Sequence, residues 1–130
     1  MELPVVTMTK VIDSFSLPWL DNVFRGSIPP AYRDKTDTTT MLITESMNEP
    51  QVSLNGRHKG WLMGVELQIF YKVGAQFNTQ DAEIDLTSRL EQLGYKTETR
   101  ARVKDPDTNQ VTKVLFATWD YLLGGTGNET

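Results

Sequence analysis

The chain has no cysteine among its 130 residues. That excludes a disulfide framework, thiolate metal sites and a cysteine nucleophile. It has one histidine, so a base-activated nucleophile would have to rely on lysine or a carboxylate. No apolar run approaches the ~20 residues that a membrane helix needs, and no membrane contact is expected. The opening Met-Glu-Leu-Pro-Val-Val lacks a basic segment followed by an apolar one. A signal peptide is therefore not expected, and folding in a cytoplasm is the simple inference. Positive charge is not in excess either: 13 Lys and Arg stand against 17 Asp and Glu, for a formal net charge of −4. A dedicated duplex-DNA binder usually shows the opposite balance. A local basic patch is still compatible with it.

What is present fits one domain. A chain of this length buries roughly two-thirds of its unfolded surface and needs no metal or staple to fold. The sequence predicts one α+β domain over residues 1–123 and a flexible tail over 124–130, where Gly, Thr and Asn replace apolar residues.

Two segments read as helices. Val5, Met8, Val11, Ile12 and Phe15 recur at helical spacing. Pro4 suits the first turn and Pro18 stops continuation, which predicts a helix over residues 4–15. Asn78 is a cap residue, because a short polar side chain can accept from the free N–H groups of a first turn. Behind it Ala82, Leu86, Leu90 and Leu93 form a stripe, with Gly94 as the stop. Ile84 falls roughly 200° from Ala82 at 100° per residue. It is off the stripe, which predicts that it is exposed.

The remaining apolar segments read as strands. Val23 and Phe24 make a short one ended by Gly26 and Pro29-Pro30, and Met41 to Ser46 makes a second. Residues 27–39 and 48–60 have loop composition. In the third strand, opened by Trp61, Val65, Leu67, Ile69 and Tyr71 alternate with Glu66, Gln68, Phe70 and Lys72. Residues 95–104 alternate too, with Lys96, Glu98, Arg100, Arg102 and Lys104 on one side. Asp105 to Gln110 is a turn by composition, and Val111 to Leu122 is a last strand forming a hairpin with the one before. The predicted fold is an antiparallel sheet of four to five strands with two helices packed on it, in the order α-β-β-β-α-β-β.

Each candidate chemical site lacks a part. His58 lies between Arg57 and Lys59, cations that disfavour a bound metal. Asp105 to Asn109 resembles the start of a calcium loop. The sixth and twelfth positions, which need Gly and a bidentate Glu, hold Gln110 and Phe116. Pro106-Asp107 followed by Thr112-Lys113 has no second carboxylate for metal-assisted hydrolysis. There is no nucleophile elbow and no phosphate-binding loop. The row Lys96, Arg100, Arg102, Lys104 spaces its charges ~6.6–6.8 Å apart if the strand is continuous, near the phosphate spacing of a single nucleic-acid strand. No aromatic residue joins it and Glu98 interrupts it, so an edge strand guarded by charge is the stronger reading. The candidate interface residues are Pro29, Pro30, Tyr32, Arg57, His58, Lys59, Ile84, Arg100 and Arg102: long-loop residues, an off-stripe apolar residue and two cations of the basic row.

A set of segments distributed along the chain carries a resemblance. They are Leu17-Pro18-Trp19-Leu20-Asp21-Asn22-Val23-Phe24 with Gly26-Ser27-Ile28-Pro29, then Leu42-Ile43-Thr44-Glu45. Val65-Glu66-Leu67-Gln68-Ile69-Phe70-Tyr71-Lys72 follows, and last Asp105-Pro106-Asp107-Thr108-Asn109-Gln110 with Thr112-Lys113. In this order they resemble the small tail-terminator, or tail-to-head joining, proteins of siphophages and prophages of Gram-positive bacteria. The resemblance implies an α+β fold with no cofactor, no metal and no catalytic residue. It also implies a homo-hexameric ring that caps the tail tube, ends its polymerisation and meets the head-tail connector. The major tail tube protein and the connector would be partners, and DNA would pass through the lumen without specific binding. The implied location is the head-proximal end of the virion tail, reached from the host cytoplasm during assembly. A head-closure or adaptor protein of the same neck is the alternative, and a nucleic-acid-binding accessory protein a weaker one.

Overall fold

A computed structural model describes residues 2–52 and 58–122. The tail expected over 124–130 and the candidate Arg57 lie outside the described residues, as do the side chains of His58 and Lys59.

Helix α1 spans Pro4–Phe15 with proline in its first turn, and Ser16 closes it at φ 50°. Pro4, Met8 and Ile12 face inward. Strand β1 is Asn22–Arg25, and a short helix α2, Pro30–Arg33, follows. Strands β2 (Thr40–Val52) and β3 (His58–Phe70) make a long antiparallel pair. Helix α3, Thr79–Gln92, is capped by Asn78, whose side chain accepts from the Asp81 N–H at 3.1 Å. Gly94, at φ 97°, ends that helix in the left-handed turn that glycine tolerates best. Strands β4 (Lys96–Thr99), β5 (Val103–Lys104) and β6 (Val111–Leu122) complete the chain.

The sheet runs β1-β2-β3-β6-β4, with β5 also on β6. One face is the core: Met41, Ile43, Val65, Leu67, Ile69, Leu115 and Ala117 are fully or almost fully buried there. Met8 and Ile12 of α1 and Leu86 and Leu90 of α3 pack in the same cluster. Both helices therefore lie on one face, and Arg89 of α3 reaches the carbonyl of Phe15 at the end of α1, at 3.2 Å. The fold class is α+β, as the sequence predicts.

Five expectations are corrected. The sheet is mixed rather than antiparallel, because β1 runs parallel to β2. Residues 26–39 between them give the length a parallel crossover needs. Part of that predicted loop is helix: Pro29 precedes α2, Pro30 begins it, and Tyr32 lies within it. The predicted loop over 48–60 is largely strand. Pro50 faces Trp61 across the hairpin, in the part of β2 that β1 does not cover, and a strand with a free outer side tolerates a proline that a fully paired one would not. Leu93 leaves the α3 stripe and is 58% exposed, since the helix ends before it at Gln92. The strand over 95–104 is broken at residues 100–102, for a reason that becomes clear at Arg102.

Gly64 explains a bulge. The β2–β3 register slips between Glu45 and Met47. A Cβ built on Gly64 would meet Ser46 Oγ at 2.9 Å, Thr118 Cγ2 at 3.0 Å and Met47 Cβ at 3.1 Å. The bulge thus occupies the space that a side chain would take. Gly64→Ala is expected to lower stability by about 1–3 kcal/mol through overpacking, measured by urea denaturation. A neutral result would show that the bulge yields freely.

Candidate functional site

A buried polar group joins three separate parts of the chain. Tyr71 follows β3 and is 2% exposed. Its hydroxyl donates to Glu83 Oε2 at 2.7 Å. Arg102 donates from Nη2 to Glu83 Oε1 at 2.9 Å and from Nε to Oε2 at 3.2 Å, a bidentate grip. The Glu83 carboxylate is buried on the sheet-facing side of α3, while Arg102 is more than a third exposed. This contact breaks the strand over 95–104. Arg100 still donates its N–H to Val114 O at 3.0 Å, and Arg102 then turns toward the helix before β5 resumes pairing at Val103.

The electrostatics show how tightly the trio is tied. Burial raises the pKa of Tyr71 well beyond the ordinary tyrosine range, and the hydrogen bond to Glu83 adds to the effect. A phenol so held is neither nucleophile nor base near neutral pH. The Glu83 hydrogen bond holds Arg102 still more firmly protonated. Sequence reasoning missed Glu83, although the signal was present. Glu83, Leu86 and Leu90 recur at spacings of three and four, so a carboxylate occupies a stripe position. A charge there requires a partner.

The candidate interface residues separate into groups. Arg102 is not a free cation of a basic row, because its charge is spent on Glu83. Arg100 remains exposed, with its guanidinium 4.7 Å from the centre of the Phe116 ring. Ile84 is 54% exposed, on the helix beside Glu83. Pro29 and Pro30 are exposed. Tyr32 is half-buried, its ring 5.0 Å from Phe24 and within 5.7 Å of the Lys35 ammonium.

The sheet face opposite α1 and α3 is largely uncovered. Strand alternation places Phe24, Leu42, Phe70, Val114 and Phe116 on it, interleaved with Glu66 and Gln68. Every one of these apolar residues is half-buried, and apart from α2 at one corner no element among the described residues packs over them. At that corner Tyr32 and Lys35 of the α2 segment face Asp105 and Thr108 of the last turn across a cleft of about 190 Å³ floored by Phe70 and Thr112. The turn is the predicted one: Asp105 donates its N–H to Gln110 O at 2.9 Å, and Asn109 sits at φ 62°.

The fold and these surfaces define a small α+β domain with α1 and α3 on one face of a mixed sheet and the other face, apart from the α2 corner, largely open. The chain belongs to a family described as a protein of unknown function, DUF806, whose model matches residues 2–120. No curated protein matches it.

Proposed function

We propose that this protein is a phage tail terminator. It forms a ring on the head-proximal end of the tail tube, stops the tube from growing and offers the head-tail connector a surface, while DNA passes through the lumen. The reading rests on the ordered resemblance from Leu17 to Lys113. The observation that carries the assembly half is the open sheet face. Phe24, Leu42, Phe70, Val114 and Phe116 give a group of half-buried apolar residues interleaved with Glu66 and Gln68, and clustered apolar surface rimmed by polar residues marks association. The partners are further copies of the chain, the major tail tube protein and the connector, within the virion tail.

The test is tube growth in vitro. Purified protein added to polymerising tube subunits is expected to give short tubes, each with a ring on one end by electron microscopy. Unlimited growth in the presence of excess protein would refute the reading. Binding to the connector but not to tubes would favour a head-closure or adaptor role. The nucleic-acid reading loses support because Arg102 is committed to Glu83.

A further inference from the structure

The two edges of the sheet carry unlike charge. On one side β4 and β5 lie outside β6, with no strand beyond them among the described residues. Lys96, Arg100 and Lys104 stand along this edge, all exposed. Lys96 and Lys104 take part in no ion pair among the described residues, and Arg100 reaches Glu98 only at 3.5 Å. On the other side β1 covers β2 only over Thr40–Ile43. The rest of β2 has no outer neighbour among the described residues. Glu45 and Glu49 stand there, exposed and in no ion pair among the described residues.

The registers bring Lys96 to the height of this acidic stretch, whereas Val103, beside Lys104, falls in the row of Thr112, Phe70, Thr40 and Asn22, at the end that β1 covers. Lys96 pairs with Thr118, Thr118 with Gly64, and Gly64 with Met47. One row across the sheet thus has Lys96 at one end and Met47, between Glu45 and Glu49, at the other.

This arrangement selects how copies meet. An isologous contact sets each edge against itself, which puts lysine on lysine or glutamate on glutamate, and like charges at an interface are strongly penalised. A head-to-tail contact sets the lysine edge against the glutamate edge, repeats without limit in principle, and closes into a ring when the rotation permits. Backbone pairing is not what selects the partner. The bulge beside Glu45 and the missing N–H of Pro50 interrupt the outer row of β2, two devices that discourage open-ended strand addition.

We infer that the basic β4–β5 edge of one copy, with its Lys96 end foremost, docks against the Glu45–Glu49 edge of the next copy of this chain. The inference rests on the assembly reading above and assigns its subunit contact.

Charge reversal tests it. Lys96→Glu with Lys104→Glu makes both edges acidic, and Glu45→Lys with Glu49→Lys makes both basic. All four side chains are exposed, so thermal melting by circular dichroism should stay close to wild type. In sedimentation at low salt the wild-type protein is expected to self-associate, and to do so less at high salt. Each double variant alone should associate about 100-fold more weakly. An equimolar mixture of the two should recover association, because every acidic edge again meets a basic one. A chain with all four reversals should associate by itself. Variants that associate like wild type, a mixture that stays dissociated, or a wild-type protein that stays monomeric at low salt would each overturn the edge assignment. Tube growth reads the broader proposal separately. Protein that still stops tubes while the reversals have no effect refutes the edges alone. Edge-dependent association with no action on tubes refutes the terminator reading alone.

Discussion

Leu86→Ala is expected to remove about 3–4 kcal/mol of stability, within the range for truncating a leucine in a packed core. Leu86 is 0% exposed and lies in the cluster formed by both helices and the central strands. Helix α3 has Glu, Gln, Asp and Ser over most of its surface, so its own sequence gives it little reason to persist alone. Burial of Ala82, Leu86 and Leu90 is what docks it. The control is Leu93, a residue of the same type immediately after Gln92 and 58% exposed. Leu93→Ala should cost about 0.5 kcal/mol or less. The two midpoints in urea, compared at equal slope, read the difference. Equal losses at the two positions would mean that α3 is not held by the stripe.

The contrast between Leu86 and Leu93 also shows what local patterning can and cannot deliver. The bounds of α1 and of β6 are those the sequence predicts, because proline, turn residues and an uninterrupted apolar pattern punctuate both ends locally. The cap at Asn78 and the stop at Gly94 are legible for the same reason. The direction of β1, the length of the β2–β3 hairpin and the break at residues 100–102 depend on contacts between residues far apart in the chain. Pro50 reads as a breaker until it is known to lie in the part of β2 that β1 leaves uncovered. Asn48 reads as a loop residue until its side chain is seen accepting from the Trp61 indole across the hairpin.

The candidate sites divide along the same line. Ile84 is exposed, as an off-stripe residue must be. Tyr32 has the polar surroundings the sequence suggests, yet half its ring rests on Phe24 through a helix turn too short to leave a periodic signal. Arg100 and Arg102 look equivalent as members of an alternating row. Only the position of Glu83 across space separates them, leaving one on the open edge and drawing the other into the protein. The opposite charges of the two sheet edges were equally invisible to a linear reading, since Lys96 and Glu49 share a surface logic only after β3 and β6 are placed between them.

Glu83→Ala is expected to cost about 3 kcal/mol. It strands the buried Tyr71 hydroxyl, and an unsatisfied buried donor costs about 1–3 kcal/mol. It also removes the carboxylate that Arg102 grips, a smaller loss because the guanidinium is partly exposed and water can take over. Tyr71→Phe should cost about 1 kcal/mol, since the acceptor keeps its arginine. A double-mutant cycle on Glu83 and Arg102 should give a coupling above about 1 kcal/mol, against about 0–0.5 kcal/mol for the exposed pair Arg100 and Glu98. The same tie predicts an alkaline limit. In the unfolded chain Tyr71 ionises near its ordinary value of about 10, whereas in the folded protein burial and Glu83 keep the proton on at higher pH. The unfolded state therefore loses a proton that the folded state retains. Stability is unaffected by this group below pH ~10 and falls above it by about 1.4 kcal/mol per pH unit until the folded phenol also ionises. Tyr95, whose pKa is likewise raised by burial, contributes in the same direction and survives the substitution. Tyr71→Phe should thus flatten the alkaline decline without abolishing it. An unchanged slope in that variant would show that the Tyr71 proton is not held by the Glu83 tie.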